Sequence, residues 1–321
     1  MSKLRFGLMY GTRFGYAPPP DIFARRIEEL GFDGLWVAES PTNRDPQLDG
    51  FTMLCFAAAA TSRITVGTSV MLLPLHNPTE VARQWAALDN LSGGRAILGV
   101  GVGGEFPKQF EAYGIPKTER AKRTNEGIEV IKSLWTQETS TYQGEIFNFE
   151  GITVQPKPIQ KPHPPIWIGG RPGGVEYDLQ GNPHFKSKTA SLVRATKHGD
   201  AWCPNYMTVD MYRNSVRDIK ELAKTIGRDI SKMVWAYNVP MWLRDTYDNA
   251  LNDASGLRYG RDLSKKVMSY DLIGGPKDIV RRITEYAEAG VEYFVMHNNA
   301  PQGQEDRTLE TFAKEVMPLV R

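Results

Sequence analysis

Residues 91–106 read LSGGRAILGVGVGGEF. Ala96, Ile97, Leu98 and Val100 form an apolar run suited to a buried strand, yet Gly99, Gly101, Gly103 and Gly104 interrupt and follow it. Glycine weakens a strand and brings no side chain to the core. Two readings stay open. Bare backbone at a strand end lets a flat ligand approach closely, or the glycines allow a tight turn through positive φ angles. The place of the stretch in the chain narrows the fold. It is the fourth strand-like run, whereas a doubly wound nucleotide-binding sheet carries its glycine-rich loop early. A glycine-rich end to the fourth strand favours a barrel.

The segments around it agree. LRFGLMY (4–10), FDGLWVAE (32–39) and ITVGTSVMLL (64–73) read as strands one to three, and PIWIGG, GDAWCP, MVWAYNVPMWL and VEYFVMHN as strands five to eight. Helical patterns separate them. After strand three, Asn77 can cap a helix that has Pro78 in its first turn and Glu80 at capping-box spacing, and Val81, Trp85, Leu88 and Leu91 then recur at helical intervals. Eight βα repeats predict an α/β fold, a (β/α)8 TIM barrel formed as one domain over 1–321. Insertions follow strand four (a hairpin in 139–165), strand five (the loop 171–188) and strand seven (245–270).

Composition narrows the class. The 321 residues are 41% hydrophobic and 24% charged, and 39 Lys and Arg against 37 Asp and Glu leave a net charge of +2. A nucleic-acid partner should show as a basic excess or cluster, and none is expected. Cys55 and Cys203 lack metal-site spacing and read as thiols in a reducing compartment. The apolar runs are too short for a signal peptide or a membrane span, so a cytoplasmic protein is expected, with no membrane partner.

Barrel active sites sit at the C-terminal ends of the strands. The residues to inspect are therefore Tyr10, Glu39 and Ser40, Ser69 to Pro74, Gly101 to Glu105, Gly169 to Arg171, Asn205, and His297 to Asn299. No lysine stands at a strand end, which argues against a Schiff-base aldolase. The five histidines have no metal-ligand spacing, so no metal site is expected. No GxSxG elbow is present.

At this point a family resemblance enters. LGFDGLWVAES, RITVGTSVMLLPLHNPTEVARQWAALDNLSGGRAILGVGVGG, KPIQKPHPPIWIGG and GDAW resemble the bacterial luciferase-like flavin and deazaflavin oxidoreductases, over about residues 4–203 and 272–298. The resemblance implies a barrel that holds FMN or coenzyme F420 at its mouth, and a homodimer acting on a small molecule. AESPTNRDP is similar to the strand-two segment of F420-dependent methylene-tetrahydromethanopterin reductases, and GTSV to strand three of F420-dependent sugar-phosphate dehydrogenases. Both point to F420 and to hydride transfer at the deazaflavin C5. The alternatives are an FMN-dependent monooxygenase fed by a separate reductase, and a non-catalytic flavin-binding relative.

The resemblance also implies roles. Ser69 and Val70 would join through a non-prolyl cis peptide against the cofactor ring. Gly101, Val102, Gly103 and Gly104 would form a cofactor wall. Gly169, Gly170 and Arg171, with Ser187, Lys188 and Thr189 at the next helix start, would hold the phosphate, and Ile168 would also touch the cofactor, although Arg171 and Lys188 also read as solvated surface cations. Glu39, Ser40 and Glu105 are the catalytic candidates. Many family members carry His where Ser40 stands, and serine is a poor base without a helper. Alcohol oxidation is thereby placed in doubt and reduction of an electron-poor acceptor fits more easily. Glu39 can instead be a polar strand end bonded to the next loop. Tyr10, His76 and His297 are the substrate-side candidates, with His76 alternatively orienting the Asn77 cap and His297 alternatively structural.

Overall fold

The computed structural model describes residues 3–11, 18–39, 48–173, 175–177, 183–185, 190–258 and 269–321. Eight strands run in chain order: β1 (Arg5–Met9), β2 (Gly34–Val37), β3 (Thr65–Thr68), β4 (Ala96–Gly101), β5 (Ile166–Gly169), β6 (Ala201–Cys203), β7 (Val234–Leu243) and β8 (Tyr293–Asn298). Each pairs in parallel with the next, and β8 pairs with β1, so the sheet closes as a TIM barrel. Helices α1 (Pro20–Glu29), α2 (Gly50–Ala60), α3 (Pro78–Ser92), α4 (Arg120–Thr136), α5 (Ala190–His198), α6 (Val209–Ile226), α7 (Pro276–Glu288) and α8 (Glu305–Thr311) follow the strands.

The insertions lie where the sequence placed them. Ser140–Gln143 pairs with Asn148–Ile152 as a hairpin after β4, and Val175–Tyr177 pairs with Pro183–Phe185 after β5. After β7, a helix at Tyr247–Arg258 leads to a short strand, Leu272–Gly274, which adds to β7 outside the barrel.

Strand three departs from its sequence reading. The run 64–73 is not one strand. Gly67 pairs with Ile97 and Met71 with Val100, so this side carries one residue more than β4, and the Ser69–Val70 peptide bond within the extra step is cis. A bulge of this kind bends a strand at a barrel rim. On α3, Asn77 Oδ1 accepts from the Thr79 N–H at 2.9 Å, as a cap should, but Leu91 points outward, 83% exposed. The 3.6-residue period carries the inward face from Leu88 to Ser92 instead.

A titratable group is also buried in the outer ring. His198, at the end of α5, has only 13% of its side chain exposed. Burial holds its imidazole down to about 4, and Lys132, Arg194 and Arg228 push the same way while Glu129 opposes them. An unfolded histidine titrates near 6.5. Below that pH the unfolded chain takes up a proton that the folded chain refuses. Stability is therefore expected to fall as pH drops from about 6.5 to about 4, by on the order of 3 kcal/mol from this residue. In urea titrations across that range, His198→Asn should flatten the decline; an unchanged slope would exclude His198 as its source.

Candidate active site

The lower half of the barrel is filled by aromatic side chains. Trp36 and Trp167 pack at 4.4 Å between ring centroids, and Tyr293 meets Trp167 edge-on at 5.1 Å. Trp36 Nε1 donates to the Tyr293 hydroxyl at 3.2 Å. Gly7, Gly34 and Gly67 make the room: a Cβ at Gly7 would overlap the Trp36 indole, one at Gly34 would overlap the Tyr293 hydroxyl, and one at Gly67 would lie 2.8 Å from Trp36 Cζ3. With that half plugged, a cavity of about 590 Å³ opens at the C-terminal ends of the strands.

The glycines of 99–104 serve three separate ends. Gly99 faces β3, where a Cβ would overlap the Thr68 carbonyl oxygen, and Thr68 Oγ1 bonds both the Gly99 carbonyl (2.7 Å) and its N–H (3.0 Å). Gly101 makes room for Val70, whose Cγ2 a Cβ would overlap, and Gly169 does so from β5, where a Cβ would lie 2.8 Å from Val70 Cγ1. Val70 is thus wedged between two bare strands and forms part of the cavity wall. Gly103 and Gly104 have φ of 59° and 101°, the region where glycine alone is unstrained. The turn reading holds for two of these glycines. The tight turn belongs to Gly103 and Gly104, while Gly101 and Gly169 are bare for the bulge that lines the cavity rather than for a ligand directly.

One end of the cavity is polar without cations. Glu39 closes β2, and its Oε2 accepts from the Leu72 N–H at 2.6 Å while Oε1 lies 2.6 Å from His76 Nε2. Beside it runs a chain of side chains carried by β8, β7, the end of β3 and β6. His297 Nε2 meets Asn238 Oδ1 at 2.8 Å, Asn238 Nδ2 donates to Ser69 Oγ at 2.9 Å, and Ser69 bonds Cys203. Burial pushes the Cys203 thiol up to about 12, so it is a neutral wall residue and not a nucleophile.

The opposite end is cationic. Arg171, after β5, is buried; its Nη1 donates to the Tyr206 carbonyl at 3.0 Å and its guanidinium stacks over the Tyr206 ring. Arg194, on α5, is equally buried, and its Nε donates to Asn125 Oδ1 at 2.7 Å. Burial, and then the nearby Arg120, lower the Arg194 pKa to about 10. Arg120 lines the same cavity, as do Gly170, Ala190 and Ser191 at the start of α5. Arg120 and Arg194 repel each other across this end, and an anion between them would relieve it. Glu105 is an acid within electrostatic reach of Arg171. It keeps solvent contact at the rim, yet the protein around it raises its carboxyl pKa, with Arg171 pulling the other way.

The luciferase-like monooxygenase profile matches residues 21–179. An uncharacterised Mycobacterium tuberculosis protein is 35% identical over 240 residues, 68% of this chain and 79% of that one. The chain belongs to the luciferase-like family. Among other relatives, an F420-dependent glucose-6-phosphate dehydrogenase of Kineococcus radiotolerans is 27% identical over 93% of this chain and 92% of its own. An FMNH2-dependent dimethylsulfone monooxygenase of Pseudomonas putida is 26% identical over 86% and 80%. The solved structure of an F420-dependent secondary alcohol dehydrogenase superposes with a TM-score of 0.80 at 20% identity, covering 99% of each chain, and shares the fold.

Within this luciferase-like barrel, Glu39, Ser69, Val70, Gly101, Val102, Gly103, Gly104, Glu105, Gly169, Gly170 and Arg171 line one cavity. Four other expected site residues do not. Ile168 is fully buried, because alternate residues of a strand face opposite sides of the sheet. Tyr10 donates its hydroxyl to the Pro18 carbonyl and packs on Phe23. His76 and His297 stand one residue back, behind Glu39 and Asn238. Ser40, Ser187, Lys188 and Thr189 lie outside the described residues. Sequence reasoning missed Arg120, Arg194 and Asn238. Asn238 inside the apolar run of β7 and Arg194 between Leu192 and Ala195 were visible signals, since polar residues on a buried face are exceptional. Among the described residues no cluster of His, Cys, Asp and Glu could hold a metal, and no helix is long and apolar enough to cross a membrane.

Proposed function

We propose that the chain is an oxidoreductase that holds a deazaflavin, F420, and passes hydride between it and a small organic substrate. The observation that carries this reading is the polarity of the cavity, with three arginines at one end and a carboxylate–amide group at the other. That layout suits a flat redox ring with an anionic side chain. Arg120, Arg171 and Arg194, with the first N–H groups of α5, would take the phosphate. Val70, between Gly101 and Gly169, would back the ring, and Glu39 and Asn238 would face the reacting edge. The bound cofactor supplies the hydride chemistry, and the barrel supplies position and charge. The F420-dependent relatives support the deazaflavin, and the FMNH2-dependent relative favours the second reading, an FMN monooxygenase.

Fluorescence titration of the purified protein with F420 and with FMN separates the two. F420 is expected to bind at least about tenfold tighter, a difference of about 1.4 kcal/mol, and its reduced form to be oxidised by an added acceptor without oxygen. Tighter FMN binding with oxygen-dependent turnover would replace this reading by the monooxygenase.

A further inference from the structure

His76 is one of two histidines that stand behind the cavity wall rather than in it. It follows the short turn Leu73–Leu75, and its backbone N–H is tied to the Leu73 carbonyl at 3.1 Å. It is not needed for the helix cap, because Asn77 caps α3 with its own side chain. Its Nε2 instead lies 2.6 Å from Glu39 Oε1, with 26% of the His76 side chain and 13% of Glu39 exposed. Glu39 is fixed twice more, by Leu72 N–H on Oε2 and by its own N–H to the Val70 carbonyl at 3.1 Å. A carboxylate oriented by an imidazole and a backbone amide, facing the reacting end of a cavity, has the form of a proton-exchanging group with its support.

We propose that Glu39 exchanges the substrate's proton and that His76 is its positioning residue, in place of the histidine that the family resemblance puts at Ser40. The proposal rests on the oxidoreductase reading above. Hydride carries one hydrogen and two electrons, so a reduced substrate must gain one proton separately. A bound deazaflavin would supply hydride to the carbon of a C=O or C=C acceptor, giving up two electrons; the heteroatom or enolate would take the Glu39 proton, and water would restore it. Oxidation of an alcohol runs the same transfers in reverse. His76 then holds the carboxylate in the orientation this exchange needs. Among the described residues, Tyr113 in the β4–α4 connection lies within electrostatic reach of Glu39 and of Asp49 at the start of α2.

The test uses reduced F420 with menadione, an electron-poor quinone, as the acceptor probe. His76→Gln keeps a hydrogen-bond donor but cannot be charged. It is expected to bind F420 within about twofold of wild type, to lose about tenfold in kcat, and to lose one limb of the pH profile. His76→Ala should lose about 10²-fold and regain at least part of it with added imidazole. In the cofactor-free protein, a downfield imidazole N–H resonance should be present in wild type and absent from His76→Gln and Glu39→Gln. A folded His76→Gln with wild-type kcat and pH profile overturns the pairing while leaving the oxidoreductase reading intact. Wild-type protein that binds no F420, or leaves its reduced form unoxidised, overturns that reading and the pairing with it.

Discussion

Gly99→Ala is expected to cost the fold about 3–4 kcal/mol, seen as a large drop in the urea midpoint, although alanine is the smallest side chain that can be added. The added Cβ would overlap the Thr68 carbonyl oxygen and lie 2.8 Å from its carbon. These are backbone atoms of the neighbouring strand, so no rotamer change relieves the clash. The same step holds two Thr68 Oγ1 bonds to Gly99 that would be lost as the strands part. Gly103→Ala is the contrast. Its Cβ would meet nothing closer than 3.4 Å, and only the positive φ resists it, at about 1–2 kcal/mol. Equal losses for the two would mean that the β3–β4 approach is not what excludes a side chain at 99. Gly103→Ala is further expected to weaken cofactor binding more than stability if the 101–104 segment is cofactor wall.

Arg194→Ala is expected to weaken F420 and FMN binding by about 30- to 1000-fold, some 2–4 kcal/mol, the range for removing one partner of a buried charge pair. Riboflavin, which lacks the phosphate, should change by less than about threefold. The folded protein should not suffer in proportion. Alanine loses the bond to Asn125 but also removes a buried charge whose pKa burial and Arg120 lower to about 10. Stability is therefore expected to stay within about 1 kcal/mol of wild type or to rise. A matching loss of affinity for riboflavin would show that Arg194 shapes the cavity rather than reading an anion. A large loss of stability would make it a structural residue.

Periodicity and punctuation by themselves determined the barrel. Eight apolar runs separated by helical patterns, with the glycine-rich end on the fourth, leave little choice of architecture, because strand and helix periods are local properties. They also placed Glu39, Ser69, Val70, Gly101 to Glu105 and Gly169 to Arg171 at strand ends, and a barrel brings all strand ends to one face. The tertiary structure alone decided what local pattern cannot encode. Gly99 and Gly101 look alike in sequence, yet one accommodates a carbonyl of β3 and the other the Val70 side chain, because each depends on the register between strands 30 residues apart. Ile168 went to the core and Gly169 to the cavity by the alternation of one strand. Arg120 comes from the β4–β5 connection and Arg171 and Arg194 from opposite ends of the β5–β6 connection, and only tertiary packing gathers them at one cavity. His76 and Glu39 are 37 positions apart in the chain, and the bulge after β3 brings them together at one strand end.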